Sequence, residues 1–367
     1  MASIREHDLE QVRSQLTAWL ASTAGLGDPI VSDLRIPPTG AVNDTFVYTV
    51  TWTDSSGARR RSAQVLRADP EGYSNLRDHD ALEQARFLER LGSATDLPVP
   101  EVLWIDEDGG SIGRPLFVMA ALPGEPVPDM PPYHLEGWLH DSSEADRGHV
   151  YRQAIDALAE VHTIDWPALG APTLTGLPTD AAAALDRQME DFFEFTAWGS
   201  GDDRYPTLDA AADWLRDRRP RPSGPAVLTW NDGRLGNMLF EDHRLTALLD
   251  WELVTVGPRE LDLTWFLWHD RFSAEGLGSL VARRPVPQMS GAPTITEGSE
   301  WYATASGHRP EDLEWYLAWA AFRMAVYLMR HGRGLIESGL AAPDSGVDRV
   351  NPASADLARR VGLDPPT

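Results

Sequence analysis

Three oxygen-bearing side chains fall close together in the stretch LTWNDGRLGNMLFEDHRLTALLDWE, residues 228–252: Asp232, Asn237 and Asp250. Carboxylates and carboxamides are hard oxygen donors of the kind Mg²⁺ prefers. A carboxylate kept off the metal can orient an attacking hydroxyl, and phosphoryl transfer asks for little beyond such positioning and charge neutralisation. Asp and Asn also punctuate turns wherever chains reverse. The elements around the three residues therefore carry the decision.

Asp232 and Asn237 are five positions apart. That is the D-x-x-x-x-N spacing of a kinase catalytic loop, in which Asp handles the acceptor hydroxyl and Asn binds metal. MLF, EDHR and LTALLD then read as strand, turn and strand, which puts Asp250 at the far end of a hairpin. Met238, Phe240, Leu245 and Leu248 are expected to anchor that hairpin to the core.

The chain has 367 residues, 42% of them hydrophobic, more than one core normally uses, so two lobes are expected. Its formal net charge of −24 repels phosphate backbones and anionic membranes. Nucleic acid and membrane are therefore excluded as partners, and a cationic small molecule would be attracted. The absence of cysteine removes disulfides, thiolate catalysis and cysteine metal sites. The N-terminus carries charges throughout and lacks an apolar signal core, and WYLAWAAFRMAVYLM is interrupted by Arg323, so a soluble cytoplasmic protein, monomer or homodimer, is expected.

Helical spacing of Ile4, Leu9, Val12, Leu16 and Leu20 predicts a helix over 4–22. Phe46, Tyr48, Val50 and Trp52 alternate as in a strand, with SAQVLR as its hairpin partner. A helix over 77–92 ending at Gly92 and two strands around EDGGS follow. The Pro-rich PGEPVPDMPPY marks a lobe boundary, giving a first lobe of 1–122 and a second of 123–367. Helices are expected near 143–163, 181–198, 208–218, 259–275 and 311–335, with one isolated hairpin among them and an exposed loop at ARRPVPQMSGAPTIT. A β-rich part followed by a helical part is an α+β pattern.

The segment LTWNDGRLGNMLFEDHRLTALLDWELVTVGPRELDLTWF resembles the core of the aminoglycoside phosphotransferase and choline-kinase-like family, which reads H-G-D-x-x-x-x-N, then I-D-W/F-E, then G-D-P-x-x-D-L. PTGAVNDTFVYTV, VLR, FVMAALPGEPVP and ALAEVHTIDW extend the likeness over about residues 30–335. The likeness is close to a bacterial subgroup related to the kinase-like domain fused to acyl-CoA dehydrogenases in animals. The resemblance implies a bilobal protein-kinase-like fold, a small β-rich N-lobe and a larger helical C-lobe. It implies Asp232 as catalytic base and Asn237 and Asp250 as Mg²⁺ ligands. Thr39, Gly40, Asn43 and Thr45 would lie over the ATP phosphates, and Arg67 would contact the α- and β-phosphates. Met119 would border the adenine, with the backbone of Ala120 and Leu122 bonding its edge, and Asp262 would brace the catalytic loop.

The sequence departs from the family pattern at several places. Trp230 and Asn231 stand for His and Gly, Arg67 for Lys, Gln84 for the helix Glu, and Gly257-Pro258 for G-D-P. Trp230 is expected to replace His by bulk. Arg67 is weighed against a plain exposed strand charge, His162 is expected to cap or pack, and His243 to be solvated. Trp251, Trp265 and Trp268 are expected in the core. The function expected is ATP- and Mg²⁺-dependent phosphorylation of a small-molecule hydroxyl, with an aminoglycoside-like amino sugar as acceptor. The alternatives are a hydroxyacyl-CoA or other metabolite kinase and a non-catalytic nucleotide-binding pseudokinase.

Overall fold

The computed structural model describes residues 8–37, 44–70, 75–77, 80–364 and 366. Ile4, Thr39, Gly40 and Asn43 lie outside them. Contacts group the chain into two compact units, Met1–Pro123 with Ala171–Thr173, and Gly124–Gly170 with Leu174–Thr367.

The first unit opens with α1 (Leu9–Ser22), started by Asp8, whose carboxylate accepts from the Glu10 and Gln11 amides. The strands β1 (Gly27–Arg35), β2 (Asp44–Thr53) and β3 (Arg59–Ala68) follow, then α2 (Ala81–Ala94), β4 (Val102–Asp106) and β5 (Leu116–Ala120). The five strands form one antiparallel sheet in the order β1-β2-β3-β5-β4. Leu16, Trp19 and Leu20 of α1 join a core with Phe46, Tyr48, Val50, Leu66 and Val118. β1 was not expected from the sequence. Two register shifts against β2, at Gly27/Ile30 and Ser32/Arg35, break the period-2 alternation by which a strand is read. α2 runs past Gly92, because the stop lies at Thr95, whose N–H and Oγ1 both bond Leu91 O.

The second unit contains β6 (Glu125–Pro126), α3 (Trp138–Asp141), α4 (Glu144–Val161), α5 (Trp166–Leu169), α6 (Ala181–Ser200) and α7 (Pro206–Asp217). β7 (Val227–Thr229), β8 (Met238–Glu241), β9 (Arg244–Leu248) and β10 (Thr255–Gly257) come next. α8 (Glu260–Arg271) runs through a π-helical stretch, Phe272–Gly278, into α9 (Ser279–Ala282). α10 (Ile295–Ser306), α11 (Leu313–Glu337) and α12 (Pro352–Val361) complete it.

Four expectations are corrected here. The β8–β9 hairpin is not isolated: β6 pairs with β8, and β7 pairs with β10. These partners are two or three residues long, too short to show a period. α10 and α12 were missed, although Thr294 and Glu297 form a capping box and Pro352 follows the Asn351 cap. The 282–296 segment is not simply an exposed loop, since Val286 is buried and Gln288 bonds Asp270.

Candidate active site

The site is built on the β8–β9 hairpin and the loop before it. Asp242 and His243 take φ of 48° and 62° between the paired Glu241 and Arg244, the geometry of a tight two-residue hairpin turn. A register shift at Leu239/Phe240 pairs Phe240 with Leu245. Ala247 is buried in consequence, and Leu245, expected in the core, is only half-buried. Beyond the ladder, Leu249 N donates to Asn237 O at 2.8 Å. That bond ties the hairpin's far end, and with it Asp250, to the loop carrying Asp232.

The loop itself is held from below by Asp262 on α8. Its carboxylate accepts from Trp230 N and Asn231 N, each at 2.7 Å, and lies 3.1 Å from His162 Nε2. His162 caps α4 and reaches Tyr302 OH with its other ring nitrogen, so its role is packing and bracing. Asn231 sits at φ 67°, a left-handed conformation that Gly takes freely and Asn tolerates. Its carbonyl accepts from Arg323 Nη2 at 2.7 Å.

Trp230 does more than fill space. It stacks on Trp251 with ring centroids 5.1 Å apart, and its Nε1 donates to the carbonyls of Leu249 and Asp250 at 3.1 and 3.0 Å. The indole N–H thus fixes the backbone that aims Asp250.

Asp232 is gripped on both oxygens. Oδ1 accepts from Trp265 Nε1 at 3.0 Å; Oδ2 accepts from Asn237 Nδ2 at 2.7 Å and from Arg234 Nε at 3.4 Å. Burial pushes the Asp232 carboxyl above its ordinary value; Arg234 opposes the shift and the negative charge of Asp250 adds to it. The two carboxylates therefore share one electrostatic environment. Asn237 is buried and gives Nδ2 to both the backbone and side chain of Asp232, leaving Oδ1 for another partner.

Arg234 also pairs with Asp129. Gly236 makes room for that pair, because a Cβ there would lie 2.9 Å from both Asp129 carboxylate oxygens. Gly233 is needed for a similar reason: a Cβ would meet Leu158 at 2.7 Å.

Sequence reasoning missed Trp265, Arg234, Asp129 and Arg323. Arg234 lies inside the D-x-x-x-x-N spacing and was readable there. Trp265 was assigned to the core, where it is, but its N–H also touches Asp232. His243, expected to be solvated, bonds Ser142 Oγ at 2.8 Å.

In the first unit, Arg67 is buried, not an exposed strand charge, and pairs in register with Thr45 and Phe117. Met119 is buried beside it on β5. The Ala120 N–H is taken by Glu101 O at 2.9 Å, and Leu122 is half-buried beyond it. Gln84 is buried on α2.

The donor set fits Mg²⁺: one carboxylate and one carboxamide oxygen suit an ion that takes few protein ligands and shares phosphate oxygens. Among the described residues no three His, Cys, Asp or Glu side chains assemble a metal cage by themselves. No helix among them is long and apolar enough to cross a membrane.

The profile of the phosphotransferase enzyme family matches residues 36–286. The probable acyl-CoA dehydrogenase IBR3 of Arabidopsis thaliana is 26% identical over 323 residues, covering 84% of this chain and 37% of that protein. The chain thus spans about a third of the length of this relative. A solved Ralstonia eutropha chain, provisionally assigned as an aminoglycoside phosphotransferase, superposes with a TM-score of 0.64 at 23% identity, over 95% of each chain. A thermostable mutant of the aminoglycoside phosphotransferase APH(4)-Ia, in ternary complex with ADP and hygromycin B, gives 0.56 at 16% identity, over 94% of this chain and 98% of that one. At these identities the two structures speak to fold, which is kinase-like.

Proposed function

The chain belongs to the phosphotransferase enzyme family, and from that premise we propose that it transfers the γ-phosphoryl group of ATP, with Mg²⁺, to a hydroxyl of a small molecule. One observation carries the reading: Asp232, Asn237 and the Asp250 backbone are locked into a single hydrogen-bonded unit by Trp265, Trp230 and the Leu249–Asn237 bond.

In this reading Asp232 positions the acceptor. Among the described residues its Oδ2 is occupied by Asn237 and Arg234, whereas Oδ1 holds Trp265 alone. A carboxylate oxygen has two lone pairs, so Oδ1 keeps one for the acceptor hydroxyl. The hydroxyl oxygen forms its bond to phosphorus as the bond to the ADP oxygen breaks, and its proton passes to Asp232 Oδ1. A carboxyl raised by burial is the better proton acceptor for it. Asn237 Oδ1 and Asp250 would hold the Mg²⁺, which when bound neutralises phosphate charge. Thr39, Gly40, Asn43, Thr45 and Arg67 would meet the phosphates, and Met119, Ala120 and Leu122 the adenine. The lobes would be 1–122 and 123–367. A net charge of −24 supports a protein that avoids nucleic acid and anionic membranes, and in this reading it works as a cytoplasmic monomer or homodimer.

The same negative charge favours an aminoglycoside-like amino sugar as acceptor. A second reading, a hydroxyacyl-CoA acceptor, is favoured by the relative named as a probable acyl-CoA dehydrogenase. ADP release with hygromycin B and with hydroxyacyl-CoA separates the two. Turnover surviving in Asp232→Ala would overturn the assignment of the base. ATP binding without transfer to any acceptor would leave the pseudokinase.

A further inference from the structure

α8 carries Trp265 and, four residues on, His269, with ring centroids 6.0 Å apart. Residues four apart share one helix face, so His269 stands about 6 Å of rise from the indole that bonds Asp232. The side chain is buried. Among the described residues neither of its ring nitrogens has a hydrogen-bond partner, which leaves a buried polar ring with its hydrogen-bonding capacity unmet. Its neighbour Asp270 does not serve it. That carboxylate is filled by Tyr133 at 3.0 Å, Tyr151 at 2.5 Å, His134 at 3.2 Å and Gln288 at 2.5 Å. Those four donors fasten the chain around residues 133–134 and 288 to α8 while leaving His269 aside.

We propose that His269 is a specificity residue for the acceptor, bonding a second hydroxyl of a polyol whose first hydroxyl lies at Asp232. The inference rests on the phosphotransferase reading of the same site. Burial, aided by the Arg234 guanidinium, lowers the His269 pKa to about 4, so the ring is neutral near pH 7. A neutral imidazole offers one donor and one acceptor, and a hydroxyl offers both in return. A simple ammonium group only donates, and an anion would favour the imidazolium instead. An acceptor that meets both groups carries at least two hydroxyls on one frame, as on a sugar or cyclitol ring.

The test uses the full chain labelled with ¹⁵N-histidine. The His269 ring signals are assigned by their loss in His269→Gln. Methyl α-glucoside, hygromycin B and n-propanol are then titrated without nucleotide. The expected result is a shift of the His269 signals with the two polyol compounds and none with propanol. In the kinase assay, His269→Phe is expected to raise KM for the better polyol about tenfold with kcat and the ATP-induced melting shift unchanged, and His269→Gln to recover part of the loss. Signals that move with no polyol, or equally with propanol, overturn the proposal, as does a KM that His269→Phe leaves alone. If the signals respond to polyols but no compound is phosphorylated, the binding inference stands and the kinase reading falls.

Discussion

Trp265 Nε1 meets Asp232 Oδ1 at 3.0 Å, so a side chain from α8 sets the rotation of the carboxylate on a loop 33 positions earlier. A hydrogen bond to a charged group contributes about 1.5–3 kcal/mol. Trp265→Phe keeps most of the bulk and removes the donor. The expected outcome is kcat lowered about 10- to 100-fold with acceptor KM nearly unchanged, read by steady-state ADP release. An unchanged kcat would remove Trp265 from the machinery.

Asp262 supports the loop through two backbone amides and His162. Asp262→Ala strands those buried donors, at about 3 kcal/mol of stability. Asp262→Asn retains one acceptor oxygen and is expected to fall between wild type and Ala. Urea unfolding midpoints of the three proteins check this order.

Gly236→Ala pushes a methyl against the Arg234–Asp129 pair. Overpacking of this kind costs about 1–3 kcal/mol. Because Arg234 also bonds Asp232, activity is expected to fall more than stability does. Parallel measurement of kcat and of the melting temperature tests whether the two effects separate.

Burial raises the Asp232 pKa above that of an unfolded carboxylate. The folded state then binds the proton more tightly, so this group's contribution to stability falls as pH rises through the two pKa values. At neutral pH the ionised Asp232 is a cost. Asp232→Asn is therefore expected to be inactive yet more stable at pH 7, with the difference shrinking towards pH 4. Wild-type kcat/KM should decline on the acid side as the base protonates, with a midpoint above the ordinary aspartate value. A variant no more stable than wild type at pH 7 would contradict the burial argument.

The parts of the site legible in the sequence were those that depend on local spacing. Asp232, Asn237 and Asp250 could be read because a loop, a hairpin and a strand end set their separation along the chain. Asp262 was reached through the family resemblance, and it accepts from the loop amides as that resemblance implied. The helices with clear 3.6-residue periods were also readable, though their ends shifted by a few residues. β1 escaped because its bulges disrupt alternation, and β6, β7 and β10 because they are too short to show any.

The sequence by itself determined which oxygen side chains are present, how far apart they lie along the chain, and that the Asp242-His243 turn returns the hairpin on itself. Tertiary structure alone decided what grips them. Trp265 and Arg323 come from helices that follow the hairpin, and Asp129, which holds Arg234, from a segment long before it. Such pairings are set by the packing of distant elements into one core, and packing constrains side-chain volume and shape without leaving a period or spacing to read.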